Sequence, residues 1–395
     1  MRFANFTANS REMKDGAKYI VVACDAFKGS LTSRQAGEDV SRGIADILPD
    51  AIIRVVPVSD GGEGLTEAFV GNLGGRYVTC HTCNAIGQPI EAQYGEVRIR
   101  GRRTAVIEMA ASCGLPQIPD NERDVMHSNS CGFGRMMLDA AENGCEDMII
   151  GLGGTATCDG GMGLLDAFSV RFPLDDRRLL YPCGEMLSHI REIDISRMNV
   201  LARGLSIRVA CDVENPLYGP NGAAEVFAPQ KGATPEDVRI LDNGLRHFAA
   251  CTSATTGADI SEVPGGGAAG GVGACLYGYF NARLESGSRL MLETISFNKI
   301  IAGADLIITG EGKIDSQTLM GKMPQGVLAE GLKAGVPVAA IGGVVEDSEK
   351  LARAGFAALV QACPSGMALK EAMRPAVAAE NLRRAARDAV NLIWG

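Results

Sequence analysis

The sequence has no uninterrupted apolar run of the roughly 18 residues that a membrane-crossing helix needs. Residues 1–17 lack the apolar centre of a secretory signal and read as a polar, partly disordered extension. These two absences lead to the expectation of a cytoplasmic protein with no membrane partner. An excess of positive charge is missing as well. The formal net charge of −9 argues against a nucleic-acid partner, which would want a basic face. It leaves room for a small anionic substrate, because one cleft can be locally positive.

Familiar nucleotide signatures are also absent. There is no G-x-x-x-x-G-K-[ST] loop and no protein-kinase signature set. No repeat of fixed period appears, although Val22-Ala-Cys-Asp25 recurs as Val209-Ala-Cys-Asp212. Cys80-His81-Thr82-Cys83 has C-x-x-C spacing, but the second ligand pair that a zinc site wants is missing. The twelve cysteines read as reduced, mostly buried small hydrophobes.

The chain does have glycine loops placed after apolar runs. With 395 residues, 46% hydrophobic and 22% charged, it is long enough for two cores. Met148-Ile149-Ile150 runs into the loop Gly151–Gly163, and PGGGAAGGVG (264–273) is a second dense cluster. Glycine lets backbone N–H groups approach a ligand, and such a loop before a helix suits phosphate. The repeated strand–loop–helix units predict a parallel, doubly wound sheet. Tyr94–Arg100 and Thr104–Met109 predict a hairpin in a different texture, between the flanking units. Thr32-Ser-Arg-Gln35 and Thr234-Pro-Glu-Asp237 mark helix starts, and Gly144 a helix end.

Asp25, Asp60, Asp212 and Glu311 stand just past apolar strands, and Asp159 lies in a loop after one. Ligands of open α/β sheets bind beyond the carboxyl ends of strands. Acids there, beside glycine loops and the lysines Lys28, Lys231 and Lys313, suit Mg²⁺–phosphate chemistry. A rival reading is a dinucleotide oxidoreductase of a small hydroxy acid. Gly151-Leu-Gly153-Gly-Thr-Ala156 fits G-x-G-x-x-[GA], with Asp175 near the distance of a ribose-binding acid.

Several long stretches resemble the bacterial-type glycerate kinases, the group containing glycerate 2-kinases. They are Asp25-Ala-Phe-Lys28-Gly-Ser-Leu31, Pro57-Val-Ser-Asp60-Gly-Gly-Glu-Gly64, Gly151-Leu-Gly-Gly154-Thr-Ala-Thr-Cys-Asp159-Gly-Gly161 and Cys211-Asp212-Val-Glu-Asn215-Pro-Leu217. Phe227-Ala-Pro-Gln-Lys231-Gly232, Pro264-Gly-Gly-Gly-Ala-Ala-Gly-Gly271 and Gly310-Glu-Gly-Lys-Ile-Asp315-Ser-Gln-Thr318 continue the series. The departures are Cys24 for proline, Ala26 for serine, Cys158 for asparagine and His127 for lysine; they bear on substrate preference rather than on fold.

The resemblance implies ATP-dependent phosphorylation of D-glycerate, with ATP and Mg²⁺ as cofactors and 2-phosphoglycerate favoured over 3-phosphoglycerate as product. It implies two α/β domains with the active site between them. One is a Rossmann-like parallel domain, 18–80 plus 290–395; the other is an inserted mixed α/β domain, 81–289. A homodimer is the assembly considered. Asp60, Asp212 and Glu311 are the expected metal ligands, and Lys28 with Asp159 or Asp315 the expected catalytic groups. Gly153, Gly154, Thr155, Gly160, Gly266, Gly267, Gly312, Lys313 and Asn215 are expected to hold phosphate or substrate. Lys231 is expected to receive the glycerate carboxylate.

Overall fold

The computed structural model describes residues 16–173 and 181–395. Its strands are β1 (Tyr19–Cys24), β2 (Ile52–Val55), β3 (Arg76–Cys83), β4 (Pro89–Ile99), β5 (Arg102–Glu108), β6 (Asp147–Gly151), β7 (Ser206–Ala210), β8 (Arg283–Glu285), β9 (Leu306–Ile314), β10 (Val338–Val345) and β11 (Ala358–Gln361). They form two sheets. The first, in the order β11-β10-β9-β1-β2, is wholly parallel. The second, β3-β4-β5-β6-β7-β8, is antiparallel from β3 to β5 and parallel from β5 to β8. This is the expected α/β architecture, with one parallel sheet and one mixed sheet.

A parallel sheet must cover both faces. Side chains alternate along β1, so Ile20, Val22 and Cys24 face the helices Ser33–Ile47 and Pro375–Trp394. Val21 and Ala23 face the other way, into a core with Leu65, Phe69, Val106, Ile149 and Val327. That second core is shared by the two sheets. Helix Leu65–Leu73 follows β2 but packs on β4 and β5, and so belongs to the junction. The changeover expected between residues 80 and 81 falls inside β3, which starts at Arg76. Its alternating exposed and buried positions are too polar on one face to stand out as a strand.

Caps act where the sequence signals them. Thr32 accepts from the Gln35 N–H at 3.3 Å while the Gln35 side chain accepts from the Thr32 N–H at 3.0 Å. Helix Pro235–Thr256 opens with the same reciprocal pair, Thr234 and Asp237. No helix among the described residues is long and apolar enough to cross a membrane.

In the first sheet the chain leaves β1 for β2 on one side, and β9 returns on the other. The strand order therefore reverses between β1 and β9. Such a switch point opens a crevice beyond the carboxyl ends of its strands.

Candidate active site

Asp25 is the first residue past β1, and its N–H donates to the Gly310 carbonyl at 2.8 Å. The register pairs Cys24 with Gly310, so Asp25 and Glu311 stand side by side at the switch point. Ser33 brings in the next strand: its hydroxyl donates to the Cys24 carbonyl at 2.7 Å and accepts from the Val58 N–H at 2.8 Å. This ties Pro57–Asp60 to the end of β1. From the second sheet, Asp212 leaves β7 and accepts from the Gly287 N–H at 2.9 Å.

These four acids share one electrostatic neighbourhood centred on Asp60. Burial first, then the Asp60 charge, pushes the Asp25 carboxyl well above the usual range, against the pull of the Ala26 N–H and Lys28. Burial and Asp60 push Asp212 to about 7, against Gly287, Ser286 and Lys28. Asp212 is itself exposed, so solvent screens part of that upward push. Burial raises Glu311 as well, opposed by Lys322 and Thr318 and reinforced by Asp60.

Gly62 is where the two sheets' loops meet. A Cβ there would stand 3.4 Å from Asp60 Oδ1 and 3.8 Å from Lys28 Nζ. A Cβ on Gly153 would come within 3.0 Å of the Gly62 Cα. Gly153 and Gly154 are exposed, and neither donates its N–H to a protein acceptor among the described residues. They present free donors beside the Asp60 loop. That loop is braced by Glu108 at the end of β5, which accepts from the N–H groups of Gly64 (3.2 Å) and Thr66 (2.7 Å).

Lys322, absent from the sequence reading, stands 3.5 Å from Glu311 Oε2. Met323-Pro324 opens the helix Met323–Ala334; proline near a helix start marks that boundary, and the fold brings Lys322, just before it, to Glu311. Lys313 and Asp315 lie alongside. Lys313 is 3.2 Å from Asp315 and 3.1 Å from Glu346. Asp315 caps the short helical turn Ser316–Leu319; burial pushes its carboxyl up, but the Gln317 N–H, Lys313 and Lys322 together hold it below the usual range. Gly312 is open, with nothing within 4 Å of an added Cβ.

Other expected site residues lie elsewhere. Asp159 is fully buried and apart from the acid cluster. It accepts from Ser130 N and Oγ (both 2.8 Å), Gly161 N (3.1 Å) and Gly163 N (3.0 Å). Its carboxylate ties the starts of helices Cys131–Glu142 and Met162–Ala167 together, away from solvent. Lys231 is buried, and its ammonium donates to the Thr157 carbonyl at 2.7 Å, behind the loop rather than in the cleft. Gly160, Gly266 and Gly267 are buried too. Gly160 donates to Gly270, and Gly267 to Asn215, so these glycines serve close packing of the two glycine segments. Thr155 is buried opposite Gly114, and the Asn215 side chain holds the Asn221 carbonyl.

The loop Gly151–Ala156 opens no helix; it runs beside 109–115, and the following helix starts at Met162. The dinucleotide fingerprint is not formed, and Asp175 lies outside the described residues. No three acids, histidines or cysteines among the described residues could cage a metal by themselves. Mg²⁺ seldom needs such a cage: one or two carboxylates and substrate phosphates suffice.

The family model described as "Glycerate kinase family" matches residues 20–394. A glycerate kinase of Bacillus subtilis (strain 168) is 40% identical over 370 residues, covering 93% of this chain and 96% of that protein. A glycerate 2-kinase of Escherichia coli (strain K12) is 38% identical, covering 93% and 96% respectively. The crystal structure of a protein assigned as glycerate kinase 2 from Salmonella typhimurium LT2 superposes with a TM-score of 0.83 at 38% identity, covering 96% of this chain and 99% of that one.

Proposed function

The chain belongs to the glycerate kinase family, and we propose that the cleft around Asp60 is where it transfers the γ-phosphoryl group of ATP to the 2-hydroxyl of D-glycerate. The observation that carries this reading is the convergence of Asp25, Asp60, Asp212 and Glu311 with Lys28 and Lys322 at a strand-order switch point. Like charges packed together raise one another's pKa and cost stability. A cationic ligand and lysines at the same place offset that cost.

Phosphoryl transfer needs positioning and charge neutralisation more than covalent help. Asp60 and Glu311 would hold Mg²⁺, which would supply positive charge to offset that of the phosphates. Lys28 and Lys322 take phosphate oxygens from either side. The free N–H groups of Gly153 and Gly154 take the glycerate carboxylate, the task first given to Lys231. Asp212 accepts the proton of the attacking hydroxyl. Its pKa of about 7 lies near working pH, where a general base is most effective. Asp315, held low by its neighbours, is a weaker base, and buried Asp159 acts by positioning the loop.

Phosphorus NMR of the product formed from ATP, Mg²⁺ and D-glycerate tests the reading, with 2-phosphoglycerate expected. A 3-phosphoglycerate product would overturn the choice of hydroxyl. ADP formation that ignores D-glycerate would overturn the substrate.

A further inference from the structure

Beside the acid cleft lies a separate cavity of about 220 Å³, between the loop after β1, the ends of β9 and β10, and the segment 362–382. Its walls are mainly carbon: Phe27, Val344, Leu369, Met373 and Leu382. Leu369 is 68% exposed and Met373 37%, so this chain leaves apolar side chains uncovered at the mouth. Two polar residues, Ser30 and Asn381, are among its lining. The Ser30 hydroxyl oxygen is buried without a hydrogen-bond partner among the described residues. Among the described residues, the Asn381 amide nitrogen has only the Met367 sulfur, at 3.7 Å.

One end of the cavity is Lys28, the lysine whose charge acts on Asp25 and Asp212. Gly312 forms another part of the rim, one residue from Glu311. A ligand with a flat apolar end and a charged end would therefore bridge the cavity and the acid cluster. Glycerate lacks an apolar end. The volume is below the roughly 300–1,000 Å³ that encloses a whole drug-sized ligand, and suits one ring system.

We propose that this cavity holds the adenine ring of ATP, stacked among Phe27, Leu369 and Met373, with the triphosphate passing Lys28 toward Asp60. Thioethers and aromatic rings make favourable contacts with a planar ring. The Asn381 amide offers one donor and one acceptor side by side, which matches the adenine N6 and N7 edge. Guanine presents acceptors at both corresponding positions. The chain would thus prefer ATP to GTP through a single side chain.

This rests on the kinase reading, and its test separates the two. Gly312→Leu projects into open space, so it fills the cavity without displacing the core. Steady-state kinetics should show the KM for ATP raised about tenfold or more, one decade of affinity, with the KM for D-glycerate within about twofold. Asn381→Leu should narrow the ATP-over-GTP preference by about tenfold, the scale of one bidentate base contact. Calorimetric titration of ADP into both variants gives the same answer without turnover. A raised KM for D-glycerate with an unchanged KM for ATP would mean that the acid occupies the cavity, and would overturn the proposal. So would unchanged ADP affinity in Gly312→Leu. Wild-type protein that binds ADP but ignores D-glycerate would defeat the kinase reading and leave the base site standing.

Discussion

The Gly287 N–H donates to the Asp212 carboxylate at 2.9 Å, and it anchors an acid from the second sheet against the helix Gly287–Thr294, whose Leu290 and Met291 lie in the core the two sheets share. Even with that donor, burial and Asp60 keep Asp212 near 7. A carboxyl whose folded pKa exceeds its unfolded value of 3.8 contributes stability that is complete below about pH 4 and lost as pH rises through about 7. Asp25 and Glu311 shift the same way. In the absence of ligand, the melting temperature should therefore fall between about pH 5 and pH 8, and Asp212→Asn should flatten that slope. With substrates, kcat/KM should rise through about pH 7, and the Asp212→Asn profile should lose that limb. A wild-type profile flat from pH 5 to 8 would contradict the role given to Asp212.

Asp60 is the charge that Asp25, Asp212 and Glu311 all feel. Asp60→Asn should raise the melting temperature of the ligand-free protein while lowering kcat by about 10²–10³, the scale of one lost electrostatic contact to a transition state. Higher Mg²⁺ should restore part of the loss. An active, unchanged Asp60→Asn enzyme would move the chemistry elsewhere.

Asp159 should behave in the opposite way. Its carboxylate satisfies three N–H groups and one hydroxyl in a fully buried site. Asp159→Ala should cost roughly 1–3 kcal/mol for each buried donor left unpaired. Denaturant melts should show that loss directly. A stable Asp159→Ala protein with abolished kcat would instead restore it as a catalytic group.

The strands and their turns were largely legible. Continuous apolar runs ending at Asp25, Asp212 and the Gly151 loop marked strands and the strand ends that face the cleft. Acids after strands looked alike in sequence, yet Asp159 turned inward because Ser130, Gly161 and Gly163 supply donors that only the folded loop brings together. Lys231 and Gly266 lie buried for a related reason. Spacing marks a loop without saying which side of it faces solvent. A proline two residues after Lys322 marked a helix start, but that its ammonium meets Glu311 is set by the path of the chain from β9 through the turn Ser316–Leu319.

The glycine loops divide by exposure. Gly154 has φ of 72°, and an added Cβ on Gly153 meets the Gly62 backbone at 3.0 Å. Gly154→Val should cost about 1–2 kcal/mol of backbone strain, and Gly153→Val should raise the KM for D-glycerate by displacing the Gly62 contact. Calorimetric melts and initial rates measure the two effects. Normal kinetics in a folded Gly153→Val protein would make this loop a turn and nothing more.

The most direct measurement is a crystal structure with D-glycerate, Mg²⁺ and a non-hydrolysable ATP analogue. The γ-phosphate should lie between Lys28 and Lys322, with the cation on Asp60 and Glu311 and the 2-hydroxyl of glycerate facing Asp212. A γ-phosphate bound away from these acids, on any other surface of the two sheets, would contradict the assignment of this cleft.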